Sequence, residues 1–294
     1  MRTWTGVLFV VVSAAGFSTL GILGRYAYAD GLDPLTILFL RFTMSTAIMA
    51  VILGLRREGL PRGRVLLQLV GMGAVGYVGQ GYFYLSAVKY ASPGLVALLI
   101  YLYPTFVALL SAIWLHESLS RLKVLALGLA LAGTALIVAP AGGQWLGILF
   151  AIVAAAIYSV YIIVGAHVLR QVSAIQSSTV IFASAGIMSD LLMLGSGPHL
   201  PASGVGWMAL GAIVVLATVL PAVAFLVGID RIGATNAAML STLEPVMTVL
   251  LAAVLLGETL TPLSLLGGAL VLAAVLLVTA GELRHSVARS TGNG

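Results

Sequence analysis

Glu244 is the first residue to account for, because it stands inside an apolar run, Ala-Met-Leu-Ser-Thr-Leu-Glu-Pro-Val-Met over residues 238–247. A carboxylate at depth in hydrocarbon costs at least about 2.5 kcal/mol, so it must face a protein interior or water. There it binds a cationic or amino group, or exchanges a proton; alternatively it is structural, held by neighbouring hydroxyls such as that of Ser241. Arg41 and Asp190 also fall inside apolar runs, but within two turns of the run ends, where a polar side chain reaches the interface more easily. Both are assigned a structural pairing or gate role rather than substrate contact.

Tyrosines supply the second signal. Helical spacing puts Tyr77, Gln80, Gly81 and Tyr84 on one face with Tyr82 turned away, while Tyr101 and Tyr103 lie in the next run and Tyr158 and Tyr161 form an i, i+3 pair. Tyr26, Tyr28 and Tyr90 fall near run ends and read as interface anchors. A tyrosine at mid-span depth needs a hydrogen-bond partner or an aqueous cavity. Two arrangements satisfy that need: a cavity lined by aromatic faces, suited to an apolar or aromatic solute, or packing between helices with bonds to backbone carbonyls. The predicted lining is Tyr77, Gln80, Tyr84, Tyr101, Tyr103, Tyr158, Tyr161, Ser241 and Glu244.

Catalytic chemistry has no comparable signal. The chain has no cysteine, and His116, His167, His199 and His285 show no metal-ligand spacing. No nucleophile, base and metal set converges, so neither an enzyme nor a cofactor is expected. Gly71-Met-Gly-Ala-Val-Gly76 matches a dinucleotide fingerprint in letters only; inside an apolar run it reads as a surface for close helix contact.

The elements that position these residues are membrane spans. With 61% hydrophobic and 8% charged residues and a mean hydropathy of +1.15, the chain belongs in a bilayer. Apolar runs long enough to cross roughly 30 Å of hydrocarbon occur at 4–26, 35–55, 65–87, 94–116, 121–139, 145–167, 175–194, 204–228, 234–256 and 262–281. The first continues through Phe17 to Leu23, too far for a signal peptide. The net charge of +5 comes from basic residues in the short gaps, so it marks topology and not nucleic-acid binding. Arg2, Arg56, Arg57, Arg62, Arg64, Arg121, Lys123, Arg170, Arg231, Arg284 and Arg289 fall on one side against Arg25 and Lys89 on the other, which places both termini in the cytoplasm. The tail, 282–294, reads as a short disordered end.

The ten runs are two copies of five. One constant interval separates Pro104 from Pro245 and Glu117 from Glu258, and it also carries Trp4-Thr-Gly-Val-Leu-Phe9 onto Trp145-Leu-Gly-Ile-Leu-Phe150. Five spans per copy is odd, so the second copy, 141–281, enters the membrane inverted relative to the first, 1–140. Such repeats give a transporter two related conformations, although duplication can also simply build a stable bundle. Pro104 and Pro245 are expected to kink their helices at repeat-related depths and to act as hinges, the alternative being a kink that only shapes packing.

Leu243-Glu-Pro-Val246 with Leu256-Gly-Glu-Thr-Leu260, and the weaker Tyr103-Pro104 with His116-Glu-Ser-Leu119, resemble the EamA-type repeat of the drug/metabolite transporter superfamily. The resemblance spans nearly the whole chain, including Arg41 in the second run. It implies an all-α basket of ten helices with runs three, four, eight and nine beside a central cavity, and mostly export of amino acids and related metabolites. In outline the chain is similar to bacterial aromatic amino acid exporters. The expected protein is therefore a secondary transporter of the bacterial inner membrane. Its partners are a small-molecule substrate and the lipid bilayer, and a monomer would suffice. Another cargo (a vitamin, sugar or cationic drug) or a scramblase or membrane enzyme are the alternatives. In the first repeat Tyr103 stands where the second has Glu244, so the halves cannot contact substrate equivalently.

Overall fold

The structure, a computed structural model, describes residues 2–90, 99–116, 120–137, 145–194, 197, 199–256 and 262–291. Some side chains within these stretches, Pro245 and residues 278–291 among them, are not described, and Glu117 and Glu258 lie outside the described residues altogether. All regular structure among the described residues is helical.

In chain order the helices are α1 (Arg2–Ser18), α2 (Leu20–Ala29), α3 (Pro34–Leu55), α4 (Gly63–Gly71), a π-helical segment π1 (Met72–Tyr77), α5 (Val78–Tyr90), α6 (Tyr103–Trp114), α7 (Arg121–Ile137) and α8 (Trp145–Val168). They continue with α9 (Ala174–Leu192), α10 (Gly204–Val214), a second π-helical segment π2 (Val215–Val219), α11 (Leu220–Ile232), α12 (Ala234–Leu240), α13 (Leu243–Leu256) and α14 (Pro262–Thr291). Among the described residues five stretches are long and apolar enough to cross a membrane: Thr3–Ala29, Leu35–Leu55, Trp145–Val168, Ala174–Leu192 and Gly204–Ile232. Tyr103–Trp114 and Leu265–Leu277 are shorter apolar helices. The chain from 282, expected as a disordered end, continues α14 to Thr291. After Gly281 the sequence to Thr291 holds neither Gly nor Pro, so nothing there stops a helix.

Contacts between helices come in pairs related by the repeat interval. The α1 crossing with α11 has its mate in α8 with α5, and α2 with α10 in α8 with α4. Likewise α9 packs on π1 as α3 packs on π2, and α6 meets α8 as α13 meets α1. Two pairs are their own mates, α3 with α9 and α7 with α14. Volumes are exchanged across one such pair. Val10 packs where a Cβ on Gly228 would stand, whereas the mate positions carry Ala151 and Ala87, both fully buried in one small cluster.

The π segments are themselves repeat-related, since the interval that joins Pro104 to Pro245 carries π1 onto positions 213–218, which overlap π2. In π2 the cause is legible: Pro221 has no N–H for the carbonyl of Ala217, and the ladder lengthens upstream of it. The Thr218 hydroxyl donates to the Ile213 carbonyl at 2.8 Å, five residues back. In π1 the corresponding position is Gln80, and the segment instead sits against a close neighbour. A Cβ on Gly73 would overlap the Ser184 hydroxyl and the Ile181 carbonyl of α9.

The α3–α9 pair is pinned at both ends. Asp33 caps α3, accepting from Leu35 N at 2.9 Å and Thr36 N at 3.1 Å, and Nδ1 of His199 in the loop after α9 lies 3.0 Å from its Oδ2. At the opposite end Ser173 caps α9 in a capping box with Gln176. The Ser173 hydroxyl donates to Glu58, and Gln176 Nε2 donates to the Gly59 carbonyl at 2.7 Å. Glu58 and His199 are themselves repeat mates, standing at the same interval as Pro104 and Pro245. Alongside, Ser203 N donates to Asp30 Oδ2 at 3.1 Å, and Gly206 leaves the room for that carboxylate at the start of α10.

Gly73→Ala is expected to lower stability by about 1–3 kcal/mol, because the obstacle is backbone. Gly71→Ala, in open space, is expected to leave it unchanged; thermal unfolding in detergent compares the two. Burial pushes the Asp33 carboxyl up, but hydrogen bonds from Thr36, His199 and Leu35 more than reverse this and hold it at about 2. Its contribution is therefore present above the unfolded-chain value of about 4 and lost as pH falls toward about 2. Asp33→Ala is expected to remove about 0.5–2 kcal/mol at neutral pH, and the gap from the parent chain should close over that acid window in the same melts.

Candidate functional site

Two interrupted helices build the site. Residues 241 and 242 form a turn between α12 and α13, and residues 101 and 102 form one just before α6. Pro104 lies in the first turn of α6, and Pro245 is the third residue of α13. This corrects the expectation of mid-helix kinks. A proline whose missing N–H falls in the first turn leaves no ladder bond open, so the chain stops one helix and starts another there. Side chains satisfy carbonyls on both ends of this short helix: Ser241 Oγ donates to Ala237 O at 2.9 Å and Thr242 Oγ1 to Met239 O at 2.6 Å at the end of α12, and Asn236 Nδ2 donates to Ile232 O at 2.7 Å at the end of α11. Such back-bonding offers the backbone an alternative to the α ladder.

Glu244 is thereby placed in the first turn of α13, where the helix dipole favours a negative charge. Its carboxylate lies within charge-interaction range of the hydroxyls of Tyr77, Tyr84, Tyr101, Tyr103 and Tyr158. The Ser241 hydroxyl is turned to Ala237, so the structural role considered for Glu244, a bond to that serine, is not the arrangement found.

The tyrosines form a ladder of rings across three helical spans. Centroid separations are 6.4 Å from Tyr101 to Tyr103, 4.9 Å from Tyr103 to Tyr158, 5.8 Å from Tyr158 to Tyr161 and 5.5 Å from Tyr161 to Tyr77. These are the offset and edge-to-face distances that aromatic pairs favour. Tyr103 and Tyr161 are buried, and Tyr77, Tyr84, Tyr101 and Tyr158 half-buried. The Tyr103 hydroxyl reaches Ala238 O at 3.4 Å, so the first half closes on the break in the second. Ser159 Oγ lies 3.2 Å from Tyr103 O, anchoring that residue to α8.

Of the remaining predicted residues, Gln80 is half-buried one turn beyond Tyr77 and makes no hydrogen bond to the cluster among the described residues. Arg41 is 7% exposed and sits beside Tyr77, with its guanidinium 4.9 Å from the Phe42 centroid. Asp190 is on the exposed surface near the end of α9, and among the described residues no ion pair joins it to Arg41. Tyr26, Tyr28 and Tyr82 are about half exposed.

Sequence reasoning missed three phenylalanines that extend the ladder. Phe42 is 5.2 Å from Tyr77, Phe182 is 6.2 Å from Phe42, and Phe225 is 6.5 Å from Tyr158. A phenylalanine in an apolar run carries no polar signal; the adjacency of Phe42 to Arg41 was the available hint. Among the described residues no group of His, Asp and Glu could hold a metal ion.

The model of the EamA-like transporter family matches the chain twice, over residues 4–139 and 145–280, one match to each half. The chain belongs to the EamA-like transporter family. It is therefore a multi-pass membrane protein with a transporter's function. It is 29% identical over 275 residues to an uncharacterized transporter of Archaeoglobus fulgidus, covering 92% of this chain and 95% of that one. It is 28% identical over 290 residues to a probable terminal-alkyne amino-acid exporter of Streptantibioticus cattleyicolor, covering 94% and 92%. A crystal structure of a protein 25% identical to this EamA chain superposes with a TM-score of 0.80 over 95% of it and 98% of that chain.

Pro104→Ala is expected to change stability by less than about 1 kcal/mol, because the first-turn position leaves no hydrogen bond to recover. A mid-helix proline would instead release about 3 kcal/mol on replacement. Thermal unfolding of the purified protein distinguishes the two.

Proposed function

We propose that this EamA-family chain is a secondary transporter that exports small amphipathic metabolites, amino acids first among them and aromatic ones the best match to its walls. The observation that carries the reading is the ladder of tyrosine rings, with hydroxyls within charge-interaction range of the Glu244 carboxylate, at the break between α12 and α13. A carboxylate in a helix break, ringed by neutral hydroxyls and aromatic faces, suits an ammonium group attached to an apolar or aromatic body. Interrupted helices at corresponding places in two halves are the usual site of substrate binding in transporters with internal repeats. The probable terminal-alkyne amino-acid exporter of Streptantibioticus cattleyicolor supports the same cargo class.

In this reading the chain crosses the bacterial inner membrane ten times as two inverted halves, 1–140 and 141–281, with both termini in the cytoplasm. The halves rock about the midplane site, with the segments around Pro104 and Pro245 as hinges and Tyr77, Gln80, Tyr84, Tyr101, Tyr103, Tyr158, Tyr161, Ser241 and Glu244 as lining.

Counterflow in proteoliposomes with labelled phenylalanine, threonine and a quaternary amine tests it. Phenylalanine is expected to exchange fastest, and Glu244→Gln to slow that exchange at least about tenfold, as loss of a charge-assisted contact implies. Exchange of the quaternary amine alone would point to a cationic-drug carrier. Unchanged phenylalanine exchange in Glu244→Gln would remove Glu244 from the site.

A further inference from the structure

The corner where α3 gives way to α4 carries four arginines, Arg56, Arg57, Arg62 and Arg64, all exposed, and Arg170 adds a fifth from the turn after α8. That turn is held against the corner, because Ser173 donates to Glu58 and Gln176 to the Gly59 carbonyl, while α4 packs on both α8 and α9. The backbone is fixed as well: Arg57 N donates to Gly54 O at 3.0 Å and Glu58 N to Leu53 O at 3.1 Å, a Schellman end to α3, and Pro61 is buried. Arg57 takes the left-handed position of that motif, at φ 55°. Glycine is the usual residue there, and an L side chain is strained. Among the described residues no carboxylate pairs with any of the five arginines, and Glu58, within the corner, is engaged by Ser173.

The internal repeat supplies a control. The interval that joins Pro104 to Pro245 carries Arg56, Arg57, Arg62 and Arg64 onto Gly197, Pro198, Ser203 and Val205, and it carries Ala29 onto Arg170. The corner after α9 is pinned in the same manner, through His199 and Asp33, yet none of these mates is charged and its left-handed residue is a glycine, Gly197, at φ 67°. Five guanidiniums are therefore not what such a corner needs in order to fold. A bias in basic residues also orients a chain during insertion, but that requires only charge near the span ends. It does not call for a strained arginine on a pinned loop.

We propose that this corner binds the headgroup of an anionic phospholipid, with the lipid phosphate facing the arginine cluster. A guanidinium meets a phosphate with paired donors, and clustered basic residues just outside a span are drawn to an anionic leaflet. Exposed apolar side chains adjoin the charges: Leu55 in the last turn of α3, Leu60 in the loop and Leu67 in α4. They offer a wall to the acyl chains, for which a free phosphate would have no use. The corner is separate from the ring ladder, so the proposal holds whatever the cargo is.

The test is native mass spectrometry of the purified full-length chain in neutral detergent, titrated with phosphatidylglycerol and with phosphatidylcholine of the same acyl chains, and with inorganic phosphate as competitor. The parent chain is expected to bind phosphatidylglycerol at least about tenfold more tightly than phosphatidylcholine, with the preference shrinking as salt rises. Replacing all five arginines by glutamine should bring that ratio near one. Arg57→Gly separates binding from folding. It is expected to weaken phosphatidylglycerol binding about fivefold while leaving the melting temperature in neutral detergent unchanged or raised, because glycine suits the left-handed position. Equal binding of the two lipids by the parent chain overturns the proposal, as does a preference retained in the five-arginine variant. Displacement of the lipid by an equal concentration of inorganic phosphate would make the corner a free-anion site and overturn the lipid assignment. A lowered melting temperature in Arg57→Gly would make that arginine structural and count against it. If the five-arginine variant cannot be recovered, Arg57→Gly and Arg170→Gln, each keeping four arginines, decide: a severalfold drop in the ratio in both supports the proposal, and an unchanged ratio in either counts against it.

Discussion

A chain that crosses hydrocarbon must satisfy every backbone N–H and C=O from within, and that constraint decides where this fold can depart from an α-helix. The departures carry their own partners. Where α1 gives way to α2, Ser18 Oγ donates to Ala15 O and Thr19 Oγ1 to Gly16 O, each at 2.7 Å. Thr218 serves π2, Asn236 serves the end of α11, and Ser241 and Thr242 serve the end of α12. Hydroxyl and amide side chains thus stand at the irregular points, and they let the helices break where polar groups gather. The site follows from the break: an uninterrupted α12–α13 would hold Glu244 in mid-ladder, away from any helix N-terminus.

The same constraint shapes packing. With little hydrophobic gain between helices in lipid, close contact comes from small residues. Gly133 faces the Gly267 carbonyl across the α7–α14 pair, where an added Cβ would come within 2.6 Å. Gly16 meets the Leu216 carbonyl of π2 in the same way, at 2.7 Å. A π segment widens the helix by one residue and exposes backbone on one side, and a glycine on the facing helix or in the segment itself accommodates it. The pinned α3–α9 pair is tied by side chains at both ends and is its own mate under exchange of the halves.

Much of this was legible because scarce residues carried it. Pro104, Pro245, Glu244 and the mid-span tyrosines are conspicuous in a chain that is 61% hydrophobic, and a residue that is expensive to bury must have a reason to be there. What escaped reading depended on abundant residues or on hydrogen-bond geometry. The π segments are written in Gly, Val and Ala, which are everywhere in the chain. The helix breaks depend on whether Ser241 bonds forward to Glu244 or back to Ala237, two choices that no spacing rule separates. Asp190 escapes a sequence reading because depth along a run does not say which face of the helix a residue occupies.

The two halves are alike in frame and unlike in charge, Glu117 with Glu258 being the like-charged pair at the repeat interval. Tyr103 and Glu244 occupy equivalent places, yet the tyrosine hydroxyl reaches across to the Ala238 carbonyl in the broken span that carries the acid. One half therefore closes on the helix whose irregularity makes the acid usable. A symmetric pair of acids would repel across that short distance, and a symmetric pair of tyrosines would offer a cargo no charge to recognise. Duplication supplies two matching frames, and at this pair of positions one carries an acid where the other carries a ring.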